Sequence, residues 1–367
     1  MRNWGVAAGL VLAAALAHAQ IVVGQTAGFT GPVGAGVKET TAGAKLWIDL
    51  VNERGGVHGQ KIELVSLDDG FEPRRAAENA RRLVEEKKVL ALFLTRGTPH
   101  NEAILPVVEQ HNVPLIGPST GAMVLHQPVR RQVFNVRSTY QREAEKALDH
   151  MAHLGLDRIA VIKADDSFGE DVAQGVARGL QRNGLKAVLE IKADRARPDF
   201  PKIVQAIVRS DAQAVMWIAS GTSVTDGVKA LRAAGSFAQV VTLSNNASSG
   251  FVKALGEHSP GVILTQVFPY ERSIRSPFVR EAMDLARDKG IDQVSPAMLE
   301  GFAAAKVLVE GLRRAGPKPS RSSLLAALEG IRNLDIGGMD LSYSGSDHTG
   351  LEYADLSIIG KDGRFRR

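Results

Sequence analysis

Apolar positions along this chain fall into two alternating rhythms. Short runs dense in Val, Ile and Leu are each followed by a longer stretch whose apolar residues recur every three or four positions. The first rhythm suits a strand buried on both faces, the second an amphipathic helix lying over it. Residues 21–25, 62–67, 89–95 and 113–116 read as four strands. The first is followed by a glycine-rich loop, 28–36, and a helix with Ala44, Ile48 and Val51 on one face. That helix stops at Asn52-Glu53-Arg54-Gly55-Gly56, a glycine C-cap signal. Pro73 opens a second helix to about Glu86, since proline at the first turn gives up an N–H that has no partner anyway. Thr98-Pro99 starts a third.

The rhythm then restarts. Strands are expected at 133–136, 158–163, near 188, and at 214–219, 240–244 and 262–266. Helices are expected at 141–154, 169–183, 198–209, 222–234, 276–289 and 296–315, with an extended tail from 339 to 359. Strand-helix alternation with short connections predicts parallel sheets covered on both faces, and two successive sets predict two doubly wound α/β lobes. Such sheets bind ligands at the carboxyl ends of their strands. The loops after Gln25, Thr95, Ile116, Lys163, Ala219 and Ser244 are therefore the places to look for function. No repeat of 20–50 residues and no low-complexity linker interrupts the pattern.

The N-terminus changes the picture. Met1-Arg2-Asn3, an apolar run over 6–16 and Ala17-His18-Ala19 have the build of a secretory signal peptide, with cleavage expected after Ala19. No later segment has the roughly 18 apolar residues of a membrane span. The chain has 367 residues, 44% of them hydrophobic and 23% charged, enough for two domains with sizeable cores. Cysteine is absent, which removes disulfides, thiol catalysis and zinc-thiolate sites. The formal charge of +5 is spread among acids, as in 78–88, so it makes a solvated helix face and not a nucleic-acid stripe.

Enzyme signatures are missing: there is no G-x-S-x-G, H-E-x-x-H or G-x-x-x-x-G-K-[ST], and Glu39 breaks the dinucleotide spacing of the glycine-rich loop. His150 and His153, three apart on one helix, read as surface histidines and not as metal ligands. Asp68-Asp69 and Asp165-Asp166 are sequence neighbours whose side chains point apart. No catalysis, cofactor or metal is expected.

Five stretches, in this order and spacing, carry a resemblance. They are Gly31-Pro32, Asn52-Glu53-Arg54-Gly55-Gly56-Val57-His58-Gly59, Asp68-Asp69 with Pro73, Val113-Pro114-Leu115-Ile116-Gly117-Pro118, and Asp165-Asp166-Ser167-Phe168-Gly169. Across the chain beyond residue 19, the sequence resembles the periplasmic binding proteins for branched-chain amino acids, the type I solute-binding components of ABC importers. The resemblance implies a Venus-flytrap: two lobes joined by three crossings that close on a ligand. Crossings are expected near 137–140, 267–270 and 339–345. Lobe one would hold 20–138 plus 268–340, and lobe two 139–267 plus 341–367.

The resemblance also nominates a site. Thr98, just before a helix, would hold a ligand carboxylate with its hydroxyl and the free N–H groups beside it, although a plain N-cap gives the same sequence. Ser119, Thr120 and Gly121 would serve the same end of the ligand. Phe168 stands where the family commonly places an aromatic, often Tyr, over the ligand. Tyr140 falls at the first crossing, and His100 lies near the expected cleft. Ser220 stands where an aromatic is often found. Asn245 and Asn246 occupy the region where amino-acid binders carry an acid for the ligand ammonium, and Asn has no charge to offer. The expectation is a monomeric periplasmic protein that captures a small carboxylate, amide or amino-acid-like ligand and delivers it to an inner-membrane ABC permease. A sensing protein for a membrane receptor, or an exported α/β enzyme, are the rival readings.

Overall fold

The computed structural model describes residues 20–367; the expected signal segment lies outside the described residues. The Val/Ile-rich runs form two sheets. The first has the strands β1 (Ile21–Ala27), β2 (Ile62–Asp68), β3 (Ala91–Phe93), β4 (Leu115–Ile116) and β5 (Val133–Phe134), in the order β2-β1-β3-β4-β5. All of its pairings are parallel. The connections run through α1 (Gly34–Glu53), α2 (Pro73–Arg81) and α3 (Thr98–Gln110).

The second lobe alternates in the same way. It runs α4 (Tyr140–His153), β6 (Ile159–Ala164), α5 (Ser167–Arg182), β7 (Ala187–Ala193), α6 (Phe200–Arg209), β8 (Ala214–Ile218), α7 (Thr222–Ala233), β9 (Gln239–Thr242), α8 (Ser249–Leu255) and β10 (Ile263–Gln266). The chain then returns to the first lobe as α9 (Pro277–Asp288), α10 (Pro296–Ala315), α11 (Arg321–Glu329) and the hairpin β11 (Leu334–Asp335) and β12 (Asp340–Leu341). It ends on the second sheet with β13 (Asp355–Ile359) and β14 (Phe365–Arg366), both antiparallel additions. That sheet has the order β14-β13-β10-β9-β8-β6-β7. β8 lies inside it and is buried throughout, whereas β7 at its edge alternates between half-buried and exposed positions, as an edge strand with one wet face should.

Two helices escaped the sequence pattern. α8 has only seven residues, too few to display a helical period. α11 begins with a capping box whose second member is Ser323, where Glu or Gln makes the motif visible in sequence.

The third passage between lobes also comes later than the 339–345 expected from the resemblance. Leu341, Tyr343 and Leu351 belong to the core of the first lobe. The Tyr343 hydroxyl donates to the Asn135 carbonyl at 2.5 Å, and the His348 ring stacks on Phe134 at 4.2 Å. The chain therefore leaves lobe one after Leu351, and Leu356 is the first of its side chains to pack in lobe two.

In lobe one, α1 and α10 meet backbone to backbone. A Cβ on Gly43 would lie 1.9 Å from the Met298 carbonyl oxygen, and one on Gly301 would lie 1.8 Å from that of Thr40. Gly301→Ala should therefore push the two helices apart and lower stability by about 1–3 kcal/mol. Urea denaturation measures it; an unchanged midpoint would show that the contact yields freely.

Candidate ligand cleft

The carboxyl ends of β3 and β4 build one wall. Gly97, with φ 93°, is the N-cap of α3, which makes Thr98 the first helical residue instead of the cap. Its hydroxyl is thereby left free of capping and lies 2.9 Å from that of Thr120. Ser119 donates its N–H to the Thr95 carbonyl at 2.7 Å, which holds the two loops side by side. Gly121 leaves no room for a side chain, since a Cβ would lie 2.6 Å from the Ser138 carbonyl oxygen. Its own carbonyl accepts from the Tyr140 N–H at 2.8 Å, so this loop is tied to the first passage.

Aromatic groups pack beside this wall. Tyr140 and Phe168 are buried and meet edge to face at 5.0 Å. Arg137, in the first passage, lies 4.5 Å over the Tyr140 ring and forms a fully buried ion pair with Glu143. His100 stacks on Phe71 at 4.3 Å, and neither of its ring nitrogens makes a well-formed hydrogen bond. Arg195 of lobe two reaches between Phe71 and Phe168, 5.2 and 5.6 Å from their rings, and pairs with Asp166. Its Nη2 is buried without a partner.

Lobe two supplies Ser220, Asn245 and Asn246, and their amides differ. Asn246 donates to the Ala219 carbonyl and the Thr242 hydroxyl, both at 3.0 Å, and accepts from the Gly221 N–H at 2.8 Å. It is wholly engaged in tying β9 to β8. Asn245 donates to the Ser220 hydroxyl at 3.0 Å, but its Oδ1 is buried without a partner. Arg96, which sequence reasoning passed over, joins the two lobes. Buried at 5% exposure, it donates to the Ser119 hydroxyl at 2.9 Å and to the Asn245 carbonyl at 2.6 Å. Among the described residues no carboxylate pairs with it.

Other contacts hold the lobes together around this wall. Glu39 of α1 accepts the N–H groups of Ser249 and Gly250 at 2.9 and 2.8 Å, capping α8 of the opposite lobe. The Asp171 carboxylate accepts from the Met123 N–H at 3.0 Å. A cavity of about 150 Å³ remains between the lobes, lined by Arg96, Asn245, Asn246, the loop 31–33 and the start of α1. Of the residues nominated from the sequence, Asn245 and Asn246 line this cavity, whereas Thr98, Ser119, Thr120, Tyr140, Phe168 and His100 do not. Its unmatched guanidinium and free amide oxygen can hold a small anion or hydrogen-bonding group, and the arrangement presents no nucleophile–base pair.

Arg96, Arg137, Arg195 and Phe71 were not legible as site residues. Arginine usually lies at the surface, and nothing in a sequence says which arginine will be enclosed. The one available signal was position, since Arg96 directly follows Thr95 at a strand end.

The chain matches the periplasmic binding protein family over residues 20–363. It is 23% identical to a Leu/Ile/Val-binding protein homologue from Brucella melitensis, over 90% of this chain and 89% of the relative. Among solved structures, a substrate-binding periplasmic protein from Ralstonia solanacearum superposes with a TM-score of 0.87 at 30% identity, covering 94% of this chain and 99% of that one. A possible leucine/isoleucine/valine-binding protein from Rhodopirellula baltica gives 0.87 at 26% identity, covering 95% and 96%.

Two predictions follow from the buried charges. Glu143→Gln strands the Arg137 cation and should cost about 3–5 kcal/mol, whereas replacing both partners with apolar residues of similar volume should recover most of it. Urea denaturation of the single and double variants tests this, and equal losses would refute it. Burial, reinforced by the charges of Arg195 and Arg96, pushes His100 down to about 4. The unfolded ring takes its proton near 6.5, so stability present above that pH is lost as pH falls toward 4. His100→Phe should reduce this slope by up to about 1.4 kcal/mol per pH unit. Parallel pH curves for the two proteins would mean that the ring titrates freely.

Proposed function

The chain belongs to the periplasmic binding protein family, in its type I, leucine/isoleucine/valine-binding-protein-like class, and we propose that it captures a small carboxylate or amide between its lobes for an ABC permease. Membership implies a periplasmic location, and residues 1–19 would be the export signal. Catalysis has no part in this role.

Arg96 carries the reading. A guanidinium removed from water and given only neutral acceptors is incompletely compensated. A ligand carboxylate would complete it and would draw on the hydroxyls of Thr98, Ser119 and Thr120 at the same end. Because Arg96 belongs to lobe one and its acceptor Asn245 to lobe two, an anion beside it would favour the closed form. Tyr140 and Phe168 would cover the ligand body. The free Oδ1 of Asn245 would accept from a hydroxyl or amide N–H.

An amino-acid ligand needs a negative charge for its ammonium, and Asn245 and Asn246 supply none. Glu143 and Asp166 are already paired with Arg137 and Arg195. One observation favours a second reading: Glu300 of α10 is buried, its Oε1 lacks a partner, and it lies close enough to Arg137 and Tyr140 to influence both. It would be the acid for an ammonium-bearing, amino-acid-like ligand.

Mass spectrometry of small molecules released from freshly purified, denatured protein identifies the ligand class. A thermal-shift panel of aliphatic and aromatic acids, short amides and branched-chain amino acids then separates the readings. We expect responses to acids or amides that weaken about 10- to 150-fold in Arg96→Met, as loss of a charged hydrogen bond predicts, and persist in Glu300→Gln. Tight leucine or valine binding that disappears in Glu300→Gln would overturn the first reading in favour of the second.

A further inference from the structure

A cavity of about 580 Å³ opens outside the cleft and shares no lining residue with it. Both lobes wall it: Met283, Arg287 and the loop 290–295 from lobe one, Lys253 and the turn 363–365 from lobe two, and Glu271-Arg272 from the second passage. Its size falls within the range of small-molecule sites.

Glu271 is the unusual group there. It is only 6% exposed, and its carboxylate takes a hydrogen bond from its own backbone N–H. Among the described residues no other side chain bonds it. Burial pushes it up to about 7 even though the charges of Arg272 and Arg367 oppose the shift, so neither cation compensates the desolvated carboxylate in full. Arg367, whose charge reaches it, pairs with Asp355 at 2.7 Å. Arg287, on the opposite wall, is engaged by Asp284 at 2.9 Å. Lys253 and Arg272 have no carboxylate at ion-pair distance among the described residues. Val252, Met283, Ile291, Val294 and Phe365 add an apolar surface.

We propose that this cavity is a second binding site, for an aliphatic α-amino acid, whose ammonium is taken by Glu271 and whose carboxylate is taken by Arg272 and Lys253. The ammonium supplies the hydrogen-bonded cation that Glu271 lacks, and Arg272 and Lys253 receive the anion. The side chain lies on the apolar surface. Because the two walls come from different lobes, occupancy here and closure of the cleft are linked, and each changes the other by the same factor.

Calorimetry on the mature chain tests this with three probes of similar carbon skeleton: leucine, 4-methylpentanoate and 3-methylbutylamine. Leucine should bind, with the acid and the amine each at least roughly tenfold weaker, since each leaves one charge of the site unpaired. Glu271→Gln and Arg272→Gln should each weaken leucine by about tenfold or more with an unchanged melting temperature. No heat from leucine at millimolar concentration, or unaltered binding in Glu271→Gln, overturns the site. Leucine binding that falls in Arg96→Met and survives in Glu271→Gln places the amino acid in the cleft, which overturns this site and the amine-free reading of the cleft together.

Discussion

A fully buried ion pair, Arg137 with Glu143, sets the geometry on which the cleft depends. Removing two charges from water costs several kcal/mol for each, and only close pairing with complete hydrogen bonding offsets that. The structure meets most of this condition by convergence, although Arg137 Nη1 is buried without a partner. Arg137 also donates to the Ser244 hydroxyl at 2.9 Å, and Glu143 accepts the Ser244 N–H at 3.0 Å and the Thr265 hydroxyl. The first passage, the start of α4 and the ends of β9 and β10 are thereby held in one arrangement. Tyr140 and Asn245 stand next to these anchors, so their positions follow from it.

The cleft in turn depends on how the two sheets present their loops. Parallel strands bring the ends of β3 and β4 to one wall and those of β6, β8 and β9 to the other. Contacts across the gap come from groups that need a partner of opposite character. The Glu39 carboxylate meets two free N–H groups at the start of α8, where a helix leaves donors unsatisfied. Pro32 offers its carbonyl to the Thr222 N–H at 3.3 Å, at the start of α7. Beside the apolar contact of Ala122 and Val124 with the core of lobe two, the lobes therefore meet through backbone hydrogen bonds left open by the helix starts.

Charge distribution then separates the two cavities. In the cleft, Arg137 and Arg195 are matched by Glu143 and Asp166, and Arg96 is left over. In the outer cavity the surplus group is an acid, Glu271, with cations at the rim. Unmatched buried charge is costly to a folded protein, and its presence at both places is the ground for the ligand chemistry proposed for each cavity.

The architecture was largely legible in the sequence. Periodicity with proline and glycine cap signals located most strands and helices of both lobes, α8 and α11 excepted, because burial on two faces demands continuous apolar runs and burial on one demands a helical repeat. Thr98, Ser119 and Thr120 could be nominated from their place at strand ends together with the family resemblance. Tertiary structure decided the rest. It moved the third passage beyond Leu351, since Tyr343 and His348 find partners on Phe134 and Asn135 that no local pattern reveals. It engaged Asn246 and left Asn245 with a free oxygen, a distinction invisible in two adjacent identical residues. It also enclosed Arg96, whose acceptor lies 149 residues away. An arginine's side chain carries the same charge on a surface helix as in a cleft; its function comes from which distant groups fold around it, and that information lies in the packing of the two lobes.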